Sequence, residues 1–133
     1  MNVLGTHLLL ELKDCNPQLL DDLDYIRESL IQTAKDIGAH VVGESFHQFS
    51  PQGVTGILSI AESHISIHTW PEYGYAAADI FTCGSSDMPK RAADLLIQRL
   101  ESKDSAVRLS LIHISAPTRR YAISYAVICL KKK

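Results

Sequence analysis

The sequence predicts an α+β sandwich: a mostly antiparallel sheet with two helices on one face, in the order β-α-β-β-β-α-β. Two observations carry that expectation. Two segments repeat apolar residues every three or four positions, as helices with one buried face do. The remaining ordered-looking segments are short runs rich in apolar and β-branched residues, bounded by Gly, Pro and Asn. Strands grouped between helices, without strict alternation, favour an antiparallel or mixed sheet.

GTHLLLEL (5–12) reads as the first strand. In NPQLLDDLDYIRESLIQTAKDIG, Asn16 caps a helix, Pro17 suits its first turn, Leu19, Leu23, Ile26, Leu30, Ala34 and Ile37 form one stripe, and Gly38 ends it. Strands are expected around 39–49, 54–61 and 75–83, with Pro51 and Gly53 marking one break and Pro71 and Gly74 another. The second helix fits DMPKRAADLLIQRLESK, with Asp87 as cap, Pro89 early, and Ala92, Leu95, Leu96 and Leu100 on one side. AVRLSLIHIS then alternates in part like a last strand, and no internal repeat is seen.

At 133 residues the chain is one domain by length, and small enough that a site can need a partner subunit. The net charge of -2 and the absence of a Lys/Arg block near aromatics argue against nucleic acid. No apolar run reaches the roughly 18 residues of a membrane span, and MNVLGTHLLLELKD lacks the basic start and cleavage site of a signal peptide. The expectation is a cytoplasmic protein. Cys15, Cys83 and Cys129 are widely spaced and odd in number, which suggests neither a disulfide framework nor a CxxC metal site.

The chemistry is concentrated in AESHISIHTWPE (61–72). His47, His64, His68 and Cys83 are zinc-binding residue types, but the spacings of closed zinc sites are missing, so no metal centre is assigned. A hydrolase reading would use Ser63 or Cys83 as nucleophile and His68 as base; no GxSxG elbow supports it. His7 and His40 read as surface or strand residues. On residue types alone, a polar half-buried strand remains an open alternative.

The combined pattern goes further. SFHQFSPQGVTGILSIAESHISIHTWPEYGYAAADIFTCG (45–84) closely resembles the core of the prokaryotic S-adenosylmethionine decarboxylase proenzymes, with a looser likeness over 4–108. These are small pyruvoyl-dependent enzymes of polyamine synthesis. The resemblance implies self-cleavage between Glu62 and Ser63, giving a 1–62 β chain and a 63–133 α chain. The Ser63 hydroxyl attacks the preceding carbonyl, the resulting ester eliminates, and residue 63 becomes a pyruvoyl group.

By the same resemblance His68 serves in processing, assisted by the hydroxyl of Thr55, where the family usually has serine. Threonine keeps the donor and acceptor but adds a methyl, which puts processing rate in question. In turnover the implied intermediate is a pyruvoyl Schiff base with S-adenosylmethionine, and Cys83 supplies the proton after carbon dioxide leaves. The product is the decarboxylated aminopropyl donor for spermidine synthesis. Phe49 is matched to the adenine, Glu72 to the ribose hydroxyls, and Glu62 to a carboxylate in the pocket.

Family members of this short form are dimers with sites at the interface, so a homodimer of cleaved protomers is expected. Two competing functions stay open: a related pyruvoyl arginine or ornithine decarboxylase, and a non-processing regulatory paralogue. Residues 109–133, LSLIHISAPTRRYAISYAVICLKKK, resemble translated sequencing-adapter read-through. They are set apart from the 1–108 decarboxylase domain, although this apolar stretch could still fill an edge-strand position.

Overall fold

The computed structural model describes residues 2–61, 63–83 and 87–114. The strands are β1 (Asn2–Lys13), β2 (Val41–Gln48), β3 (Val54–Ile60), β4 (Ser63–Trp70), β5 (Tyr75–Thr82) and β6 (Asp104–Ile114). The helices are α1 (Pro17–Leu20), α2 (Leu23–Asp36) and α3 (Asp87–Arg99), and a 3-10 turn spans Pro71–Tyr73. All the strands join one sheet in the order β2-β3-β4-β5-β1-β6, with every neighbouring pair antiparallel.

The expected fold class is the one observed. One strand is added to the expected order: 63–70 pairs between β3 and β5, where the polar run masks the alternation of Ile65 and Ile67. The strand β6 continues through 109–114, the start of the adapter-like stretch, and pairs along β1; 115–133 lie outside the described residues.

The first helix also differs from the single element expected. Its apolar stripe crosses a break at Asp21 and Asp22. Asp22 caps α2 by accepting from the Tyr25 amide at 3.1 Å, while Asp21 Oδ1 accepts from the Gly53 amide at 2.9 Å and Gln48 Nε2 at 3.0 Å. Two adjacent carboxylates thus take separate jobs, one capping a helix and one fastening α1 to the turn between β2 and β3.

Alternation puts one side of each central strand into the core. Leu8, Leu10 and Leu12 of β1, Val54, Leu58 and Ile60 of β3, Ile65 and Ile67 of β4, and Ala76, Ala78 and Ile80 of β5 are buried. They meet Leu20, Ile26, Leu30, Ala34 and Ile37 from the first helical segment and Ala92, Ala93, Leu96 and Leu100 from the α3 region. Arg99 joins the two helices, donating to Thr33 Oγ1 at 2.6 Å and to the Asp36 carboxylate.

Two glycines are required by contacts. Gly74 ends the 3-10 turn at φ +61° and its carbonyl accepts from the Cys15 amide at 2.9 Å, tying that turn to the end of β1. Gly56 lies opposite Phe46 in the β2–β3 ladder, and a Cβ there would run into the Phe46 ring. Gly56→Ala should therefore destabilise the fold by about 1–3 kcal/mol, the usual range for overpacking. Urea unfolding checks this, and an unchanged midpoint would show that Phe46 moves aside freely.

Candidate active site

The same alternation puts much of the polar chemistry on the face away from the helices, though Ser63 and Thr82 alternate to the helix side. His7, Leu9 and Glu11 of β1, Thr55, Ile57 and Ser59 of β3, His64, Ser66, His68 and Trp70 of β4, and Tyr75, Ala77, Asp79 and Phe81 of β5 all fall on the helix-free face. Cross-strand register sorts these side chains into two groups at opposite ends of β4.

At the C-terminal end of β4, Thr55 sits directly opposite His68, with its Oγ1 3.0 Å from His68 Nδ1. His47 is opposite Thr55 on the other side, and its ring meets that of Phe49 edge-on at 4.6 Å. Trp70 lies 6.4 Å from the His68 ring and 5.5 Å from the Tyr75 ring. Glu72, exposed, is in the turn just after Trp70. Phe49 is 47% exposed and Trp70 40%, so aromatic surface faces outward beside a hydroxyl, an imidazole and a carboxylate.

At the N-terminal end, Ser63 opens β4, half-buried. One step beyond the His64–Phe81 pair, the register sets Ser63 opposite Thr82, and Cys83, exposed, follows. Thr82 Oγ1 is buried and has no hydrogen-bond partner among the described residues. Glu62 lies outside the described residues.

The sequence-predicted residues thus form two sets, Ser63 with Cys83 and Thr55 with His68, Phe49 and Glu72. Five strand residues at about 3.3 Å each separate Ser63 from His68 by roughly 16 Å, and alternation points them to opposite faces. His68 is out of reach of Ser63 within one chain. The zinc-type residues are dispersed likewise, with His47 and His68 at one end and His64 and Cys83 at the other.

A third group escaped sequence reasoning. Asp79 Oδ2 lies 2.8 Å from His7 Nε2 and 3.2 Å from His64 Nε2, while Ser66 Oγ donates to Asp79 Oδ1. Burial alone would raise the Asp79 pKa, but hydrogen bonds and charge from His64 and His7 outweigh it and hold the carboxyl well below the usual range. His7 is 72 residues from Asp79 along the chain, so no local spacing marks the group. The available signal was a lone carboxylate in the apolar strand YAAADIFTC.

The sequence model described as S-adenosylmethionine decarboxylase matches residues 6–110. The chain belongs to the S-adenosylmethionine decarboxylase family. It is 50% identical over 103 residues to the S-adenosylmethionine decarboxylase proenzyme of Thermodesulfovibrio yellowstonii, covering 77% of this chain and 76% of that one. The proenzyme of Prochlorococcus marinus strain MIT 9211 is 49% identical over 106 residues, with 80% and 87% covered.

A crystal structure of the adenosylmethionine decarboxylase from Aquifex aeolicus superposes with a TM-score of 0.82 at 34% identity, covering 88% of this chain and 97% of that one. Both the fold expected from the order of elements and the family expected from 45–84 are therefore met. Among the described residues no helix is long and apolar enough to cross a membrane.

The cysteines of this decarboxylase-family chain sit in contrasting surroundings. Cys15 is 5% exposed, and burial, with a smaller contribution from Asp14, pushes its thiol pKa up against a lowering hydrogen bond with Ser102. Cys83 is exposed. In a Cys129→Ser chain, an aromatic disulfide reagent at pH 8 should modify Cys83 at least about tenfold faster than Cys15, since access and thiolate fraction control the rate. Peptide mapping after timed quenching checks the order, and equal rates would contradict the burial of Cys15.

Proposed function

We propose that this chain is a self-processing S-adenosylmethionine decarboxylase that works as a homodimer in the cytoplasm and makes the aminopropyl donor for spermidine synthesis. Family membership supports the reaction. The observation that carries the assembly is the separation of the two sets of residues at opposite ends of β4. A second copy facing the first across their helix-free faces, turned end for end, brings the Thr55–His68 end of one chain to the Cys83 end of the other; Ser63, the first residue of β4, alternates to the helix side and must turn toward that contact to react. Each dimer then has two equivalent sites, and a closed two-fold contact of this kind is the commonest protein assembly.

Ser63 is the proposed nucleophile for cleavage after Glu62, and residue 63 the origin of a pyruvoyl group. The surroundings fit such a group: a buried Thr82 hydroxyl without a described partner lies beside position 63, ready to donate to a carbonyl oxygen. When formed, the pyruvoyl group supplies a ketone that draws electron density from the substrate as carbon dioxide leaves.

The other roles belong to side chains of the two protomers. Cys83, at the same end of the sheet as Ser63, is the proposed proton donor to the decarboxylated carbon. His68 and Thr55 of the opposing chain act together in processing, with the hydrogen bond between them orienting the imidazole. Phe49 offers a face to the adenine and Glu72 accepts from the ribose hydroxyls. Glu62, as the new terminus of the β chain, adds a carboxylate to the pocket. Residues 1–108 form the proposed catalytic domain, a boundary supported by the family match ending at 110.

Denaturing mass spectrometry with a hydrazine trap tests the processing. Two fragments split at Glu62/Ser63, the larger one trappable, are expected for the unaltered chain and a single chain for Ser63→Ala; cleavage in that variant would overturn Ser63 as nucleophile. Cys83→Ser should be cleaved yet lose most of its carbon dioxide release.

Mixing tests the shared site. Co-expressed Cys83→Ser and Glu72→Gln chains should recover about one quarter of unaltered activity, because random pairing makes half the dimers mixed and each mixed dimer keeps one intact site. No recovery, with mixed dimers demonstrated by mass, would put the whole site within one protomer.

A further inference from the structure

We propose that His7, His64 and Asp79 form a binding site for a borderline divalent transition-metal ion such as Zn2+ or Co2+. The ligand set is two imidazole Nε2 atoms and one carboxylate oxygen, all within 4.8 Å of one another and half-buried. Metal–nitrogen and metal–oxygen bonds of about 2.0–2.2 Å set neighbouring donor atoms roughly 3.0–3.4 Å apart in octahedral or tetrahedral geometry. Asp79 Oδ2 already lies 2.8 Å from His7 Nε2 and 3.2 Å from His64 Nε2. For all three to hold one ion the His7–Asp79 contact opens slightly and the two imidazole nitrogens, within 4.8 Å of one another, draw together.

The scaffold is fixed. The three ligands come from adjacent strands, β4, β5 and β1, whose register sets both His64 and His7 opposite Phe81, two residues from Asp79. The Phe81 ring stacks on His64 at 5.9 Å and meets His7 edge-on at 6.2 Å, giving the site an apolar side. Ser66 Oγ donates to Asp79 Oδ1, which holds the carboxylate and leaves Oδ2 to the ligand side, as outer partners do in metal centres. Imidazole and carboxylate together suit Zn2+, Co2+ and Ni2+ better than Mg2+ or Ca2+.

This inference does not rest on the decarboxylase reading, and the test keeps them apart by using Ser63→Ala protein alongside the unaltered chain. After EDTA treatment and its removal, Co2+ is titrated while its visible ligand-field absorption is followed, and Zn2+ competition gives the affinity. The expected result is one Co2+ per chain in both proteins, displaced by Zn2+. Asp79→Asn and His7→Gln, on different strands and close in shape to the originals, should each weaken binding by at least about tenfold, and Ser66→Ala by a similar factor through the carboxylate.

His47→Ala with His68→Ala, at the other end of β4, should leave Co2+ binding as it was. Circular dichroism of each variant separates loss of a ligand from loss of the fold, and a normally folded Asp79→Asn or His7→Gln suffices for the judgement. Absence of a stoichiometric Co2+ spectrum overturns the site and leaves a hydrogen-bonded His–Asp–His group. Full retention of binding in folded Asp79→Asn and His7→Gln overturns it equally, by locating the ion elsewhere.

Discussion

The register of β4 against its neighbours is the constraint on which the rest depends. Ile65 and Ile67 are fully buried against the helices while His64, Ser66 and His68 take the other face. A slip by one residue would exchange the two sets, exposing isoleucines worth about 1.5–3 kcal/mol each on burial and thrusting imidazoles into the core. That apolar cost holds His68 opposite Thr55 and His64 opposite Phe81. Chemistry on one face is thus positioned by packing on the other.

A second constraint is length. A strand of eight residues has two ends too far apart for a single small molecule to bridge with reacting atoms, so a sheet this small cannot gather all its polar side chains at one point. The arrangement makes sense of a sheet face that none of the described helices covers and that mixes Leu9, Ile57 and Trp70 with titratable groups: it has the apolar content of an interior and the polar content of a site. Cleavage between 62 and 63 would also leave the two fragments interleaved. The strands β1, β2 and β3 precede that bond and β4, β5 and β6 follow it, yet β1 lies between β5 and β6.

What the sequence made legible follows the range of the interactions. Helix caps and breakers act over three or four residues, so Asn16, Pro17, Gly38 and Pro89 marked their elements correctly, and the forty-residue motif carried the family. The break at Asp21 was hidden because the leucine stripe continues across it and only a partner in a distant turn, Gly53, reveals the change. The strand 63–70 was hidden because histidine and serine dilute its alternation. The separation of Ser63 from His68 by face follows once 63–70 is a strand, whereas the meeting of His7 with Asp79 could not be seen, since it depends on pairing between strands remote in sequence.

The place of β1 within the sheet has a consequence for how the molecule is made. As a ribosome releases the chain, β1 emerges before the other described strands, and both of its edges must wait: one for β5, the other for β6. The helices and the β2–β3–β4 meander can assemble from neighbours in sequence, whereas β1 can be secured only by long-range closure, which is slow. Until then Leu8, Leu10 and Leu12 sit on an unpaired apolar strand. Nascent chains of this protein should therefore be most in need of a chaperone's shelter at β1, and β6, synthesised last of the described strands, is the one that completes its pairing.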